Sequence, residues 1–259
     1  MESTIKLLDG QSWDSKELLE KMLDDSFYYG YLSKAALSSS SLKQLLKSPK
    51  YYARQLETKQ EETKALREGK LIHLLLLEAH REEELVVIDV KSRVAKTYKD
   101  AVLEHGAENV FTVIEVAQAK KVANAVKQCP EAWAMIDGAT TEVPGAGTIM
   151  GLPFRAKADI LHEGKRIVDL KTTADIYKFK RSAYDFGYDA QAAIYTHIFG
   201  LQEFTFLVVD KTTLDVGIYT TTPAFIKSGQ VKVKEAIEIY EKFFIKGEAL
   251  SSHIIRGVL

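Results

Sequence analysis

The chain has 259 residues, of which 46% are hydrophobic and 27% are charged, and its formal net charge is −1. This composition is ordinary for a globular protein with a substantial core, and it lacks the strongly basic balance that marks many nucleic-acid-binding proteins. The single cysteine, Cys129, excludes an intramolecular disulfide framework and any site that needs several thiolates.

The first half of the chain has a mostly helical pattern. A run of serines over residues 38–41 precedes a helical stripe of leucines, which predicts an N-cap and a helix that Pro49 should end or kink. The predicted elements that follow are a helix over 63–80, a short strand over 84–90 and a mostly helical stretch over 97–136 with breaks near Gly106 and Pro130.

Between Thr140 and Thr173 the helical period gives way to alternation, which is typical of strands. Two faces are predicted for the first clear strand, one made of Phe154, Ala156, Ala158 and Ile160 and the other of Arg155, Lys157, Asp159 and Leu161. A turn at Glu163 and Gly164 follows. In the next strand, one predicted face holds Val168 and Leu170, and the other holds Ile167, Asp169 and Lys171.

The last third of the chain completes the predicted fold. It contains a helix over 188–200, strands over 203–210 and 214–221, and a helix from Pro223 to about Lys246. This order predicts an α/β (α+β) fold with a central mixed β-sheet flanked by helices. We expect a single domain over 1–259, with a helical N-terminal part over about 1–136 and a sheet core over about 137–246.

No apolar run approaches the ~20 residues that span a bilayer, and the N-terminus lacks a signal-peptide pattern. The one cysteine is in keeping with a reducing compartment. The sequence therefore predicts a cytoplasmic protein that makes no contact with a membrane.

The candidate catalytic residues lie on the predicted hairpin that ends at Thr173. Asp169 and Lys171 are two residues apart in a strand, so their side chains share a face. A three-residue loop over 163–165 would place Asp159 opposite Asp169 on that same face, whereas a two-residue loop would place the two carboxylates on opposite faces.

Two neighbouring carboxylates repel each other unless a cation lies between them, and oxygen ligands suit magnesium or manganese. A lysine beside them, Lys171, could orient a water molecule and stabilise charge that develops on a phosphate. The alternative interpretation is a surface hairpin that carries ordinary polar residues.

Two further features complete an ordered set. His73 ends a Gly-x-x-x-His motif that begins at Gly69 in an apolar helical segment, and Gln191 and Tyr195 lie four residues apart on one helix face. Taken singly, each feature is compatible with ordinary packing.

The ordered set Gly-x-x-x-His, Asp, Asp-x-Lys and Gln-x-x-x-Tyr resembles the nuclease signature of the RecB-like branch of the PD-(D/E)XK superfamily. The resemblance is greatest to RecE-type exonucleases (exonuclease VIII-like), which are phage or prophage encoded. The serine-rich segment 37–43 with Ser48 and Pro49 also resembles that family, and the similarity spans roughly Tyr28 to Phe244. One departure is Ala158, which precedes Asp159 where the family usually has proline.

The resemblance implies a metal site and a catalytic group. Its implied ligands are His73, Asp159, Asp169 and the main-chain carbonyl of Leu170, its implied catalytic lysine is Lys171, and Gln191 and Tyr195 would line the active site. The implied cofactor is Mg2+, with Mn2+ as a substitute.

Four further residues are candidates for DNA binding. Ser40 and Ser41 stand at a helix N-terminus, where phosphate can bind, although plain capping would explain them equally well. Arg155 and Lys157 share the predicted catalytic face and could contact phosphates. We interpret Glu142, a spare acid near the site, as structural.

The resemblance implies a 5′→3′ exodeoxyribonuclease that degrades linear double-stranded DNA and leaves 3′ single strands for recombination by strand annealing. Its implied partners are double-stranded DNA ends and a RecT-like single-strand annealing protein, and it would work as a ring-shaped homo-oligomer (trimer or tetramer) in the bacterial host cytoplasm. The alternatives are another RecB-like nuclease, such as an endonuclease or a DNA-repair accessory, and a non-catalytic DNA-end-binding protein.

Overall fold

The structure, a computed structural model, describes residues 3–58 and 63–255. Their strands are β1 (Thr4–Lys6), β2 (Ser12–Asp14), β3 (Val86–Ile88), β4 (Val110–Thr112), β5 (Thr140–Ile149), β6 (Leu152–His162), β7 (Arg166–Thr173), β8 (Glu203–Asp210) and β9 (Val216–Thr220). Their helices are α1 (Ser15–Lys21), α2 (Leu32–Ala35), α3 (Ser39–Lys47), α4 (Pro49–Glu57), α5 (Lys64–Leu77), α6 (Lys96–His105), α7 (Val113–Gln128), α8 (Pro130–Trp133), α9 (Phe179–Asp185), α10 (Tyr188–Phe199) and α11 (Pro223–Tyr240).

Shorter helical turns join these elements. Ser26–Tyr31 and Glu241–Ile245 form π-helical turns, and Ala79–Glu84, Ile176–Lys178 and Leu250–Ser252 form 3-10 turns. No helix within the described ranges combines the length and the apolarity that crossing a bilayer requires.

The main sheet has five strands in the order β5-β6-β7-β8-β9. β7 and β8 run parallel and are connected through α9 and α10, whereas the other neighbours are antiparallel. A connection through helices is what two parallel strands require. The mixed sheet predicted from the sequence is therefore confirmed.

Helices cover both faces of the sheet. On one face, Phe154, Ile167 and Phe204 pack with apolar side chains of α3, α10 and α11. On the other face, Val168 and Leu207 pack with α5 and α7. Both faces of β7 are thus buried, which explains its continuous apolar character and the low exposure of the polar residues it carries.

A third cluster lies at the N-terminus, where Ile5, Leu18, Met22 and Tyr28 pack together. Ala146 of β5 packs against this cluster. A backbone bridge between Leu37 and Phe154 follows in the chain. The N-terminal segment, residues 3–31, is thereby held against the β5–β6 hairpin.

The prediction over 97–136 was wrong at one point, because β4 interrupts the helices and pairs in parallel with β3. Three residues are too few for a period to be recognised. Arg67 of α5 supports the pairing of β3 with β4, although it is far from β4 in sequence. Its buried guanidinium donates hydrogen bonds to the main-chain carbonyls of Val110 and Ala107.

The predicted faces are confirmed in β7 but are wrong at two residues of β6, Ile160 and Leu161, the second of which packs on the side of Phe154. Ile160 packs on the side of Val168 and Leu170, whereas Phe154 and its predicted neighbours pack on the opposite side. Alternation fails at Asp159, which lies opposite Glu142 in the register of β5 and β6. Glu142 has a φ of +53°, outside the strand region, so the hairpin bends there.

Candidate active site

The centre of the candidate site is a buried ion pair on β7. The Lys171 ammonium lies 2.5 Å from Asp169 Oδ2, and Asp169 is only 1% exposed. Gln191 of α10 donates a hydrogen bond of 2.6 Å to Asp169 Oδ1. Helix α10 therefore fixes the orientation of a carboxylate that the strand has already buried.

Burial disfavours the charged form of Asp169 and raises its pKa to about 6, an effect that Lys171 opposes and Asp159 reinforces. Burial also acts to lower the pKa of Lys171, but the Asp169 and Asp159 carboxylates outweigh it, so this pKa is raised. Lys171 is therefore protonated at neutral pH. In this form it can donate hydrogen bonds and stabilise negative charge.

Of the two loop lengths considered for the β6–β7 hairpin, the structure has the three-residue one, since His162 pairs with Arg166 and Ile160 pairs with Val168. The regular ladder ends there. Asp159 then turns its carboxylate toward β7, where Oδ2 accepts a 2.8 Å hydrogen bond from the main-chain N–H of Leu170. The acid is thus locked against the backbone between Asp169 and Lys171.

Helix α5 brings a histidine to the same point. A carbonyl oxygen only accepts hydrogen bonds, so the 2.9 Å contact between His73 Nε2 and Leu170 O assigns the proton to Nε2. In the neutral ring, Nδ1 then directs a lone pair toward Asp159 Oδ2, which lies 3.7 Å away. Two acceptors that face each other in this way favour a cation between them.

The third member of this group is Glu142, which we had interpreted as structural. His73, Glu142 and Asp159 offer ligand atoms that all lie within 4.8 Å of one another. Burial raises the pKa of Glu142 to about 8, and the nearby Asp159 adds to this. The group is His73–Glu142–Asp159, and Asp169 lies beside it rather than within it.

A sequence signal for Glu142 does exist. Met150 and Gly151, both with positive φ, form a two-residue turn that pairs Ile149 with Leu152. Counting back from this turn places Glu142 opposite Asp159. The register of the β5–β6 hairpin, rather than that of the β6–β7 hairpin, identifies this acid.

These residues fit a divalent cation. Carboxylate and carbonyl oxygens with one imidazole suit Mg2+ or Mn2+. Within the part of the chain that the structure describes, the buried Asp169 Oδ2 faces the Lys171 ammonium alone, so the carboxylate can also offer a lone pair to a cation. Leu170 O has two lone pairs, so it can accept from His73 and still offer a ligand pair.

Tyr195 lies one turn after Gln191 and is 8% exposed. Its ring packs on Phe199 and Phe204 at 6.3 and 6.1 Å. Burial raises its pKa well above the usual value for tyrosine, and Tyr28 adds to this. Tyr195 is therefore uncharged and packs beside the site, while Gln191 makes the hydrogen bond to Asp169.

The two serines proposed for DNA binding have different surroundings. Ser41 is buried, and its hydroxyl accepts a 2.9 Å hydrogen bond from the Ser38 main chain as part of a capping box. Ser40 is exposed at the first turn of α3. Capping accounts for Ser41, and only Ser40 presents its side chain to solvent.

Arg155 and Lys157 do lie near the site, but the N-terminal segment engages both of them. Arg155 donates a 2.8 Å hydrogen bond to the carbonyl of Tyr28 and stacks over its ring. The Lys157 ammonium lies 2.8 Å from Asp25 Oδ1 and 3.9 Å from Glu142 Oε2. A phosphate that binds Lys157 must therefore compete with the Asp25 carboxylate.

A cavity of about 480 Å³ opens beside the candidate metal ligands. Its walls include Asp25, Arg81, Glu142 and Lys157. Arg81 is itself paired with Glu78 and Glu84. The cavity gives a path from solvent to Glu142 between the N-terminal segment and the β5–β6 hairpin.

The fold of this chain is shared by a solved structure. A crystal structure of a putative exonuclease from Eubacterium rectale has a TM-score of 0.69 to this chain at 18% identity, and covers 91% of this chain and 95% of that one. A phage related exonuclease from Haemophilus somnus 129PT has a TM-score of only 0.35 at 13% identity, and covers 82% of this chain and 96% of that one. The second similarity is too weak to support an argument.

No curated protein matches the chain in sequence. Residues 38–250, in contrast, match the family described as a PDDEXK-like domain of unknown function (DUF3799). The match spans most of the chain, from the capping box of α3 to the end of the helical region. The chain therefore belongs to this PDDEXK-like family.

Proposed function

We propose that the protein is a Mg2+-dependent 5′→3′ exodeoxyribonuclease, in which Mn2+ can replace Mg2+, that degrades linear double-stranded DNA and leaves 3′ single strands. The observation that carries this proposal is the buried Asp169–Lys171 pair beside Asp159 and His73. Two acids, a protonated lysine and an imidazole at one point are suited to phosphodiester hydrolysis.

Each residue has a distinct role in this proposal. His73, Asp159, Asp169 and the Leu170 carbonyl would hold the cation, and Glu142 would join them. The bound cation supplies charge stabilisation to the phosphodiester. Lys171 remains protonated and donates to the oxygen that gains negative charge, while Gln191 holds Asp169 in place.

The exonucleolytic part of the proposal has separate support. The ordered motifs from Gly69 to Tyr195 resemble those of RecE-type exonucleases. The Eubacterium rectale protein that shares this fold carries the name putative exonuclease. Both point to DNA ends as the substrate.

We further propose that the protein assembles as a ring-shaped trimer or tetramer in the bacterial host cytoplasm and passes its product to a RecT-like annealing protein. A ring needs basic residues only along its channel, which is compatible with the net charge of −1.

The test uses three DNA substrates with the purified protein. We expect linear duplex DNA to be shortened in Mg2+ and left intact in chelator, and a covalently closed circle to be spared. With one strand labelled at its 5′ end, mononucleotide label should appear before the duplex shortens visibly. Cleavage of the closed circle would assign an endonuclease, and binding of ends without cleavage in Mg2+ or Mn2+ would assign a non-catalytic end binder.

A further inference from the structure

An aromatic side chain is exposed to solvent at the turn between α9 and α10. Phe186 ends α9 and is 51% exposed. Gly187, with a φ of +73°, reverses the chain directly after it and begins α10. The turn therefore holds Phe186 at its tip, just before the helix that carries Gln191.

Aromatic contacts connect this surface residue to the candidate active site. The ring of Phe186 lies 5.8 Å from that of Tyr188. The Lys171 ammonium in turn lies 4.8 Å from the centroid of Tyr188. One ring thus separates Phe186 from the lysine that would contact the scissile phosphate.

A second lysine contacts the Phe186 ring. The Lys43 ammonium lies 5.3 Å from the centroid of Phe186. Lys43 is exposed and lies on α3, three residues after Ser40. An aromatic face next to a lysine is the combination that binds a base together with its backbone phosphate.

A single exposed phenylalanine is ordinary on a protein surface. Phe186 differs because its ring links an interior lysine to a surface lysine. Lys47 also covers an aromatic ring, that of Tyr51, but Tyr51 has no ring contact with Tyr188 among the described residues. The position of Phe186, rather than its exposure, carries the argument.

We propose that Phe186 is a stacking platform for an unpaired base of the cleaved strand, next to the scissile phosphate, and that Lys43 contacts the adjoining backbone phosphate. This inference rests on the proposed nuclease function and adds a substrate subsite to it. Successive bases of a strand are about 3.4 Å apart, so a ring one contact away from Tyr188 lies within reach of the first few nucleotides.

The first test separates stacking from general apolar packing. We expect Phe186→Leu to lower kcat/KM on linear duplex DNA by about tenfold or more, because base–aromatic stacking is lost, and Phe186→Trp to retain the wild-type value. The control is Tyr177→Leu, since Tyr177 is 86% exposed and its ring contacts no other ring or cation among the described residues. We expect this control to match the wild type.

The second test reports stacking without turnover. A duplex with 2-aminopurine as an unpaired base at the 5′ end is bound in chelator, and its fluorescence is recorded. We expect quenching with the wild type and with Phe186→Trp, and loss of most quenching with Phe186→Leu. Lys43→Gln should reduce the slope of log affinity against log salt by about one, as the loss of one phosphate contact predicts.

The outcomes separate this inference from the proposed function. A wild-type protein that cleaves DNA, with Phe186→Leu equal to it in kcat/KM and in quenching, would overturn the platform alone. A wild type that never cleaves DNA but quenches in a Phe186-dependent way would support the platform and overturn the nuclease. A change in oligomeric mass for Phe186→Leu would assign the ring to a contact between copies of the chain and also overturn the platform.

Discussion

Two buried aspartates, one on each of two neighbouring elements, have opposite surroundings. Asp189 at the start of α10 is fully buried, and its carboxylate accepts hydrogen bonds from the Ala190 main chain, Ser228 and Lys232 at 2.8–2.9 Å. Asp169 on β7 is equally buried, but among the described residues its carboxylate has only two side-chain partners, the Lys171 ammonium at Oδ2 and the Gln191 amide at Oδ1.

The difference in hydrogen bonding indicates that Asp189 has a structural role and that Asp169 has a role in the chemistry of the site. At Asp189 both oxygens are satisfied, and the carboxylate joins α10 to α11. At Asp169 the pKa is raised to about 6, because burial is only partly compensated by Lys171. Incomplete compensation of a buried charge destabilises a fold, so its presence beside three possible metal ligands indicates function.

The largest expected effect comes from Asp169 itself. We expect Asp169→Asn to reduce cleavage of linear DNA by about 1,000-fold or more, because a neutral amide cannot replace the charge that the site requires. The free energy of unfolding in chelator should fall by about 3 kcal/mol, because Asp169→Asn leaves the buried Lys171 charge without its partner. Single-turnover cleavage and urea unfolding measure the two quantities.

The outcome that would reverse the comparison is an Asp169→Asn protein that cleaves DNA at the wild-type rate although it unfolds more readily. Asp169 would then be a structural charge of the same kind as Asp189. Lys171→Ala is the matched second variant, and we expect it to lose activity in the same way.

The next largest effect is expected from the close contact between α10 and α11 near Asp189. A Cβ atom on Gly229 of α11 would lie 1.9 Å from the main-chain oxygen of Asp189. Backbone cannot move aside as a side chain does, so we expect Gly229→Ala to destabilise the fold by about 3 kcal/mol. Thermal or urea unfolding measures this change.

Gly30→Ala is the matched control, because a Cβ at Gly30 meets nothing within 4 Å and the residue is helical. Alanine there should stabilise slightly, by about 0.5 kcal/mol, as it does elsewhere in helices. Equal effects of the two substitutions would show that α10 and α11 are not in close contact at Gly229.

A smaller effect is expected from the structural aspartate. Asp189→Ala should destabilise the fold by about 2 kcal/mol, because Ser228 and Lys232 lose their acceptor, although the partly exposed Lys232 can regain water. The cleavage rate per folded molecule should be unchanged. A large loss of rate in a protein that remains folded would show that Asp189 positions Gln191, and the contrast with Asp169 would weaken.

Local rules predicted the half of the site that lies within one hairpin and one helix. Asp169 and Lys171 share a face because they are two residues apart, and the three-residue loop fixed the register of β6 against β7. Helical spacing placed Gln191 and Tyr195 on one side of α10. Each of these inferences needs only residues that are close in sequence.

The remainder depends on contacts that sequence spacing does not encode. Lys157 is paired with Asp25, which lies 132 residues earlier in the chain. The register of the β5–β6 hairpin sets Glu142 opposite Asp159, but the backbone of Glu142 leaves the strand region, which spacing does not encode for a non-glycine residue. Such a conformation is unfavourable in isolation and is fixed by the packing around it, so alternation alone could not predict it.

The smallest effect that we predict concerns Glu142 and is a dependence on pH. Burial and Asp159 raise the pKa of Glu142 from an ordinary value near 4.5 to about 8. A carboxyl group whose pKa is raised by folding favours the folded state when protonated, so the stability it confers is complete below about pH 4.5 and is lost as the pH rises toward 8. In chelator at pH 8, we therefore expect Glu142→Gln to be more stable than the wild type by about 1 kcal/mol, with a smaller difference at pH 5.

Added Mg2+ should reverse that order, because a cation bound by His73, Glu142 and Asp159 stabilises the wild type and has one ligand fewer in the variant. At tenfold excess over the dissociation constant, the gain for the wild type is about 1.4 kcal/mol. Urea unfolding at pH 5 and pH 8, with and without Mg2+, measures the four values for each of the two proteins. If Glu142→Gln gained as much stability from Mg2+ as the wild type, Glu142 would not be a ligand, and its buried charge would need the same structural explanation as that of Asp189.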